Sequence, residues 1–151
     1  MNMNLSQLAH TWILDIDGTI VRHNGYMIDG RDTFLPGAED FLKSIPSDDM
    51  IIFITSRTEA EKELTEKFLN DNGIRYNTII YNAPFGERIL VNDAKPSGLQ
   101  TAIAINTVRD VFNTECTLLP SASQILIITP EDDGSNFEAA SGTVIIFILR
   151  S

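Results

Sequence analysis

The chain of 151 residues has one cysteine, Cys116, so it can close no disulfide within itself and must be held together by packing. Residues 1–10 lack both the basic flank and the apolar core of a signal peptide. Together these absences lead to the expectation of a cytoplasmic protein. Long hydrophobic runs are missing too. The longest, residues 144–149, is far too short to span a bilayer, so no membrane association is expected. Positive charge is scarce: 11 Lys and Arg stand against 21 Asp and Glu, a formal charge of −10. That balance argues against generic binding to a nucleic-acid backbone, which needs concentrated Lys and Arg. An anionic ligand must then be drawn in by a local device, such as a metal or a helix N-terminus, and not by the overall field. Histidine is limited to His10 and His23. His10 precedes the first apolar strand and is expected in solvent; His23 lies in a polar stretch after it. No repeat or low-complexity tract is present.

What the chain does have is the makings of one soluble domain over residues 1–151, with 43% hydrophobic and 21% charged residues. The most informative stretch is Trp12-Ile13-Leu14-Asp15-Ile16-Asp17-Gly18-Thr19-Ile20. It reads as an apolar strand ending in two carboxylates. Side chains at i and i+2 of a strand share a face, so Asp15 and Asp17 are delivered together, and Gly18 lets the backbone turn sharply after them. Two like charges so close raise each other's pKa unless a cation or proton intervenes. A hard, oxygen-seeking ion such as Mg2+ is the economical partner.

Residues 21–35 are polar, with Gly25 and Gly30 spaced as turn points, and read as a short flap or hairpin carrying Tyr26, Asp29 and Arg31. Pro36-Gly37 opens a helix with Phe41, Leu42 and Ile45 as its buried stripe, stopped near Pro46. Residues 50–54 form a continuous apolar run, as expected of a strand covered on both faces. It ends in Thr55-Ser56-Arg57. Thr58 to Glu61 has capping-box form, and the helix that follows is expected to run to Asn72, bury Leu64, Phe68 and Leu69, pair Glu63 with Lys67, and stop at Gly73. Residues 78–81 and 89–92 read as the next strands, 101–105 as a weaker fifth, and 124–129 and 143–149 as two more of uncertain placement in the 111–151 tail. Strands alternating with helices predict an α/β fold, Rossmann-like, with a mostly parallel sheet and helices on both faces. Ligands in such folds sit outside the carboxyl ends of the strands, where Asp15, Thr55 and Asp93 all fall.

Asp15-Ile16-Asp17-Gly18-Thr19 resembles the first motif of the haloacid dehalogenase (HAD) superfamily, mostly phosphate-ester hydrolases, and the resemblance extends over residues 11–106. It implies a Mg2+-dependent phosphatase. Asp15 would be the nucleophile that forms an aspartyl-phosphate, and Asp17 the general acid and then base. The metal would take Asp15, the main-chain carbonyl of Asp17, and Asp93. Thr55 matches the second motif and would hold a phosphate oxygen, with Gly18, Ser56, Arg57 and Tyr26 as further substrate contacts. Val91-Asn92-Asp93-Ala94-Lys95-Pro96 resembles the fourth motif, with Asn92 where many relatives carry a second acid. The lysine of the third motif has no counterpart before residue 89, and Arg88 or Lys95 is left to supply that positive charge, with Lys95, immediately after Asp93, the favoured of the two.

There is no room for an inserted cap domain between residues 20 and 50 or between 57 and 89, so the chain resembles the capless members. Their sites act on large substrates or borrow a lid from a second copy in a homo-oligomer. A looser likeness to small phosphatases found with surface-polysaccharide genes suggests a small phosphorylated metabolite such as a sugar phosphate. A nucleotide or polynucleotide-end phosphatase, and a binding module that has lost turnover, are the alternatives.

Overall fold

The strand ahead of the paired aspartates is not the chain's first: Asn2–Leu5 (β1) precedes Thr11–Leu14 (β2) in the computed structural model. The structure describes residues 2–112 and three later strands, 115–118, 125–127 and 144–146. Two compact units make up the chain, residues 9–114 and residues 1–8 with 115–151.

After β2 the larger unit contains a short helix Gly25–Ile28 (α1), a helix Ala38–Ser44 (α2), the strand Met50–Ile54 (β3), a 3-10 turn Glu59–Glu61, a helix Lys62–Asp71 (α3) and the strand Thr78–Ile80 (β4). In the other unit β1 pairs in parallel with Glu115–Leu118 (β5), and Ile125–Ile127 (β6) pairs in parallel with Val144–Ile146 (β7). The strands β6 and β7 fall within the two predicted for the tail. The pairing of β1 with β5 is new, since neither stretch has the apolar run that announces a strand.

The larger unit is α/β: its sheet is parallel, in the order β2-β3-β4. Register places Trp12 beside Ile51 and Leu14 beside Phe53 on one face. Ile51 and Phe53 are fully buried there against Ala38, Leu42 and Ile45 of the α2 region and Leu69 of α3. Phe41 is only half-buried, its ring edge-on to Trp12 at 5.4 Å. On the other face Ile13 is about half exposed, at 52%.

The capping box is present as predicted: Thr58 Oγ1 accepts from the Ala60 N–H and Glu61 accepts from the Thr58 N–H. Because the first turn is 3-10, the phase of α3 is set from Lys62. Thr65 and Leu69 are buried, whereas Leu64, predicted inside, is 40% exposed. Lys67 pairs with Asp71 one turn on, not with Glu63. The flap is hairpin-like at its base, where Val21 bridges Phe34 antiparallel, but α1 occupies its tip.

The strands predicted over 89–92 and 101–105 do not form. Chain direction explains the first. After β4, Asn82 turns with φ 58°, its N–H donates to the Arg57 carbonyl, and the Ala83 N–H donates to Thr55. These bonds carry the chain over the end of β3 and off the free edge of β4, leaving Ile89 and Val91 exposed.

At the opposite end of the sheet, His10 is not a free surface residue. Buried Asp49 accepts from the His10 N–H (2.7 Å) and the Trp12 indole N–H (2.8 Å), and its second oxygen lies 3.3 Å from His10 Nδ1. Burial alone would raise the Asp49 carboxyl, but these hydrogen bonds outweigh it and hold the group below the usual carboxylate range. A carboxyl lowered in the folded state stabilises above its ordinary value, and that contribution is lost as pH falls through the folded value. Asp49→Ala is therefore expected to cost about 2–3 kcal/mol at neutral pH by orphaning two donors. In urea unfolding the gap between variant and parent should close in acid; a gap independent of pH would contradict this role for the Asp49 charge.

Candidate active site

The turn after β2 closes on itself. The Ile16 carbonyl accepts from the N–H groups of Thr19, Ile20 and Val21 at 3.3, 3.0 and 3.1 Å, and the Gly18 N–H donates to Val21 at 2.8 Å. Gly18 sits at φ 79°, a left-handed conformation that glycine adopts without strain. Ile16, Ile20 and Val21 are buried in the core cluster, which anchors the turn from below. Asp15 follows Leu14, whose neighbour in register is Phe53, so Asp15 and Thr55 stand at the same end of adjacent strands, about 5 Å apart between strand axes.

Asp15 is half-buried, and one oxygen accepts from the Thr19 hydroxyl at 2.9 Å. Burial pushes its carboxyl up; the Thr19 bond opposes that, and Asp17 adds to it. The mutual repulsion expected of the pair is thus present but secondary to desolvation.

Asp17 is held by Arg57, which the sequence places among substrate contacts. Its side chain is 1% exposed. Nε and one terminal nitrogen donate to the two oxygens of Asp17, both at 2.8 Å. The terminal nitrogens also donate to Asp32, at 2.7 and 2.8 Å, and to Thr65 Oγ1 at 2.9 Å. Those contacts use all five N–H donors of the guanidinium. The Tyr26 ring lies against the same group, 4.3 Å from its carbon to the ring centre. Arg57 therefore has no donor left for substrate; it is the internal brace that orients Asp17. The two bonds it makes there leave further lone pairs on each Asp17 oxygen for proton transfer.

Thr55 is buried, and its oxygen accepts from the Arg57 N–H at 3.1 Å, which leaves its hydroxyl proton to donate. Ser56 beside it is half-buried. Arg88 donates to the Pro84 and Gly86 carbonyls, and its charge reaches Asp15, favouring the carboxylate. Lys95 is spent on Asp93, at 2.9 Å, on an exposed irregular segment. Of the two candidates for the missing lysine, Arg88 is the one whose charge bears on Asp15.

Three contributors to this region carried no sequence signal. Asp32 and Thr65 complete the Arg57 cage. Asp110 reaches back to the turn: its N–H donates to the Gly18 carbonyl at 2.9 Å, and its Oδ1 accepts from the His23 N–H at 2.6 Å.

As a cation site, the oxygens of Asp15 and the Asp17 main chain are of the right chemistry for Mg2+. Asp93 is held by Lys95, and no group of three or more His, Cys, Asp or Glu placed to hold a metal occurs among the described residues. The fit therefore rests on the aspartate turn.

No protein-family model and no curated protein matches the chain. Among solved structures, a chain of the Pnkp1/Rnl/Hen1 complex is similar at 25% identity and a TM-score of 0.43, over 55% of this chain. The match spans 31% of that chain. No helix among the described residues is long and apolar enough to cross a membrane.

Proposed function

We propose that the chain is a HAD-type phosphomonoester hydrolase in which Asp15 is the nucleophile. The observation that carries this reading is the asymmetry of the two aspartates. Asp17 is locked in place by the charge of Arg57, whereas the side-chain partner of Asp15 among the described residues is a neutral hydroxyl on one oxygen.

The Asp15 oxygen not bonded to Thr19 attacks phosphorus as the bond to the leaving oxygen breaks, and Asp17 supplies that oxygen with a proton. Water then attacks the aspartyl-phosphate, returns a proton to Asp17, and frees Asp15 and inorganic phosphate. The Thr55 hydroxyl donates to a phosphate oxygen throughout. Mg2+, held by Asp15 and the Asp17 carbonyl, would screen the repulsion between carboxylate and phosphate. The acidic chain favours a small phosphorylated metabolite, such as a sugar phosphate, over a polynucleotide end.

Phosphate release from a panel of sugar phosphates, nucleotides and p-nitrophenyl phosphate tests the reading. Release is expected with Mg2+, strongest on a small substrate. No release from any compound would overturn it. Treatment with a chelator should abolish release and added Mg2+ restore it; turnover that survives the chelator would remove the metal from the scheme.

A further inference from the structure

We propose that Arg109 is the cationic group that binds the phosphate at the aspartate turn, delivered there by a clasp formed by residues 108–112. The proposal rests on the hydrolase reading for its catalytic meaning, but its own observations are independent of it.

The clasp is built onto the turn at several points. Asp110 is bonded to Gly18 through its N–H and to His23 through its carboxylate, across more than eighty residues of sequence. The Val111 N–H closes a turn onto the Val108 carbonyl, and Asp110 adopts φ 60°, which an aspartate tolerates better than most residues. On the far side Phe112 packs on Phe41 with ring centres 5.1 Å apart, fixing the clasp to α2.

Next to the Asp110 anchor stands Arg109. A Cβ placed on Gly18 would meet Arg109 Cγ at 3.1 Å and the His23 side chain at 3.5 Å. The arginine stem is therefore laid against the one position after Asp17 that has no side chain, and its guanidinium lies a few bonds beyond. Arg109 is exposed, and its guanidinium makes no hydrogen bond or ion pair among the described residues. His23 Nδ1, at the same turn, is buried without a partner among them. This unspent cation and unsatisfied polar atom flank the same glycine.

Electrostatics give the cation its role. Around the turn, Asp15, Asp17 and Asp32 stand against the internal charge of Arg57, which has no donor to spare, and the exposed Arg88, which acts on Asp15 from a distance. A phosphate dianion entering this surplus of negative charge needs an outside partner, and a free guanidinium matches phosphate in a bidentate way. Gly18 then matters for a second reason, since a side chain there would crowd the Arg109 stem and shift it by a few tenths of an ångström.

Calorimetric titration of the full chain with inorganic phosphate tests this without relying on turnover. The parent is expected to bind, Arg109→Gln to bind about tenfold more weakly for the loss of a charge-assisted contact, and Arg109→Lys to recover part of the affinity. Asp110→Ala, which keeps the Arg109 side chain but removes the carboxylate contact that ties the clasp to His23, should weaken binding in the same direction. Equal affinity in parent and Arg109→Gln, or no phosphate binding by the parent, would overturn the proposal. Phosphate binding that depends on Arg109 in a chain that hydrolyses nothing would support it and sink the hydrolase reading instead.

Discussion

Arg57→Met is expected to lower the unfolding free energy by about 3–5 kcal/mol. The reason is what it leaves behind. Asp32, 1% exposed at its side chain, and Asp17, 17% exposed, both lose their only ion-pair partner among the described residues, and Thr65 loses a bond at 2.9 Å. Two uncompensated carboxylates would then face each other across a space shaped for a guanidinium. Arg57→Lys should recover only part of the loss, because an ammonium has three donors and cannot bridge two carboxylates in the plane that Arg57 does. Adding Asp32→Asn to Arg57→Met should restore stability relative to the single variant, since it removes one stranded charge. Urea unfolding of the four proteins measures all of this. A loss below about 1 kcal/mol for Arg57→Met, the range of an exposed ion pair, would show that the cage is not a buried network. Phosphate release should fall with it, and in Arg57→Lys it should fall further than stability does, because Asp17 loses its fixed orientation.

The second large effect has opposite signs on activity and stability. Asp15→Asn is expected to reduce phosphate release by at least about 10³-fold, because an amide cannot form the acyl phosphate. The same variant should be more stable than the parent at neutral pH. Burial raises the Asp15 carboxyl above its ordinary value. The folded state then holds this proton more tightly than the unfolded state, so the contribution to stability is full below the ordinary value and is lost as pH rises through the raised one. At neutral pH the parent carries a desolvated charge that Asn removes, while the amide oxygen still accepts from Thr19. The unfolding temperature should rise by a few degrees, and the difference should vanish in acid. Parent activity should itself decline as pH drops through the raised value, because the nucleophile must be anionic. A variant both inactive and less stable would mean that Asp15 has a structural role in the turn.

Legibility in the sequence followed the range of the interactions. The strand at 50–54, the capping box at Thr58 and the stop at Gly73 are decided by neighbours within a turn or a few residues, and all three stand where the pattern puts them. The two aspartates and Gly18 were readable for the same reason. Arg57 was not: it looks like any charged residue past a strand, and its burial depends on Asp17 and Asp32, 40 and 25 residues away. Residues 89–92 fail in the other direction. Their apolar run suits a strand, but two backbone bonds from Asn82 and Ala83 lead the chain off the sheet edge first. β1 and β5 each lack an apolar run, and only their mutual pairing across the whole larger unit makes them strands.

The most direct test of the central claim is to find the phosphoryl group on the protein. The parent would be incubated with p-nitrophenyl phosphate and Mg2+, quenched in acid, digested, and mapped by mass spectrometry. A phosphate mass on the peptide containing Asp15, absent from Asp15→Asn and gained in Arg57→Lys through slower release, is the expected result. Hydrolysis by the parent with full turnover retained in Asp15→Asn would contradict it.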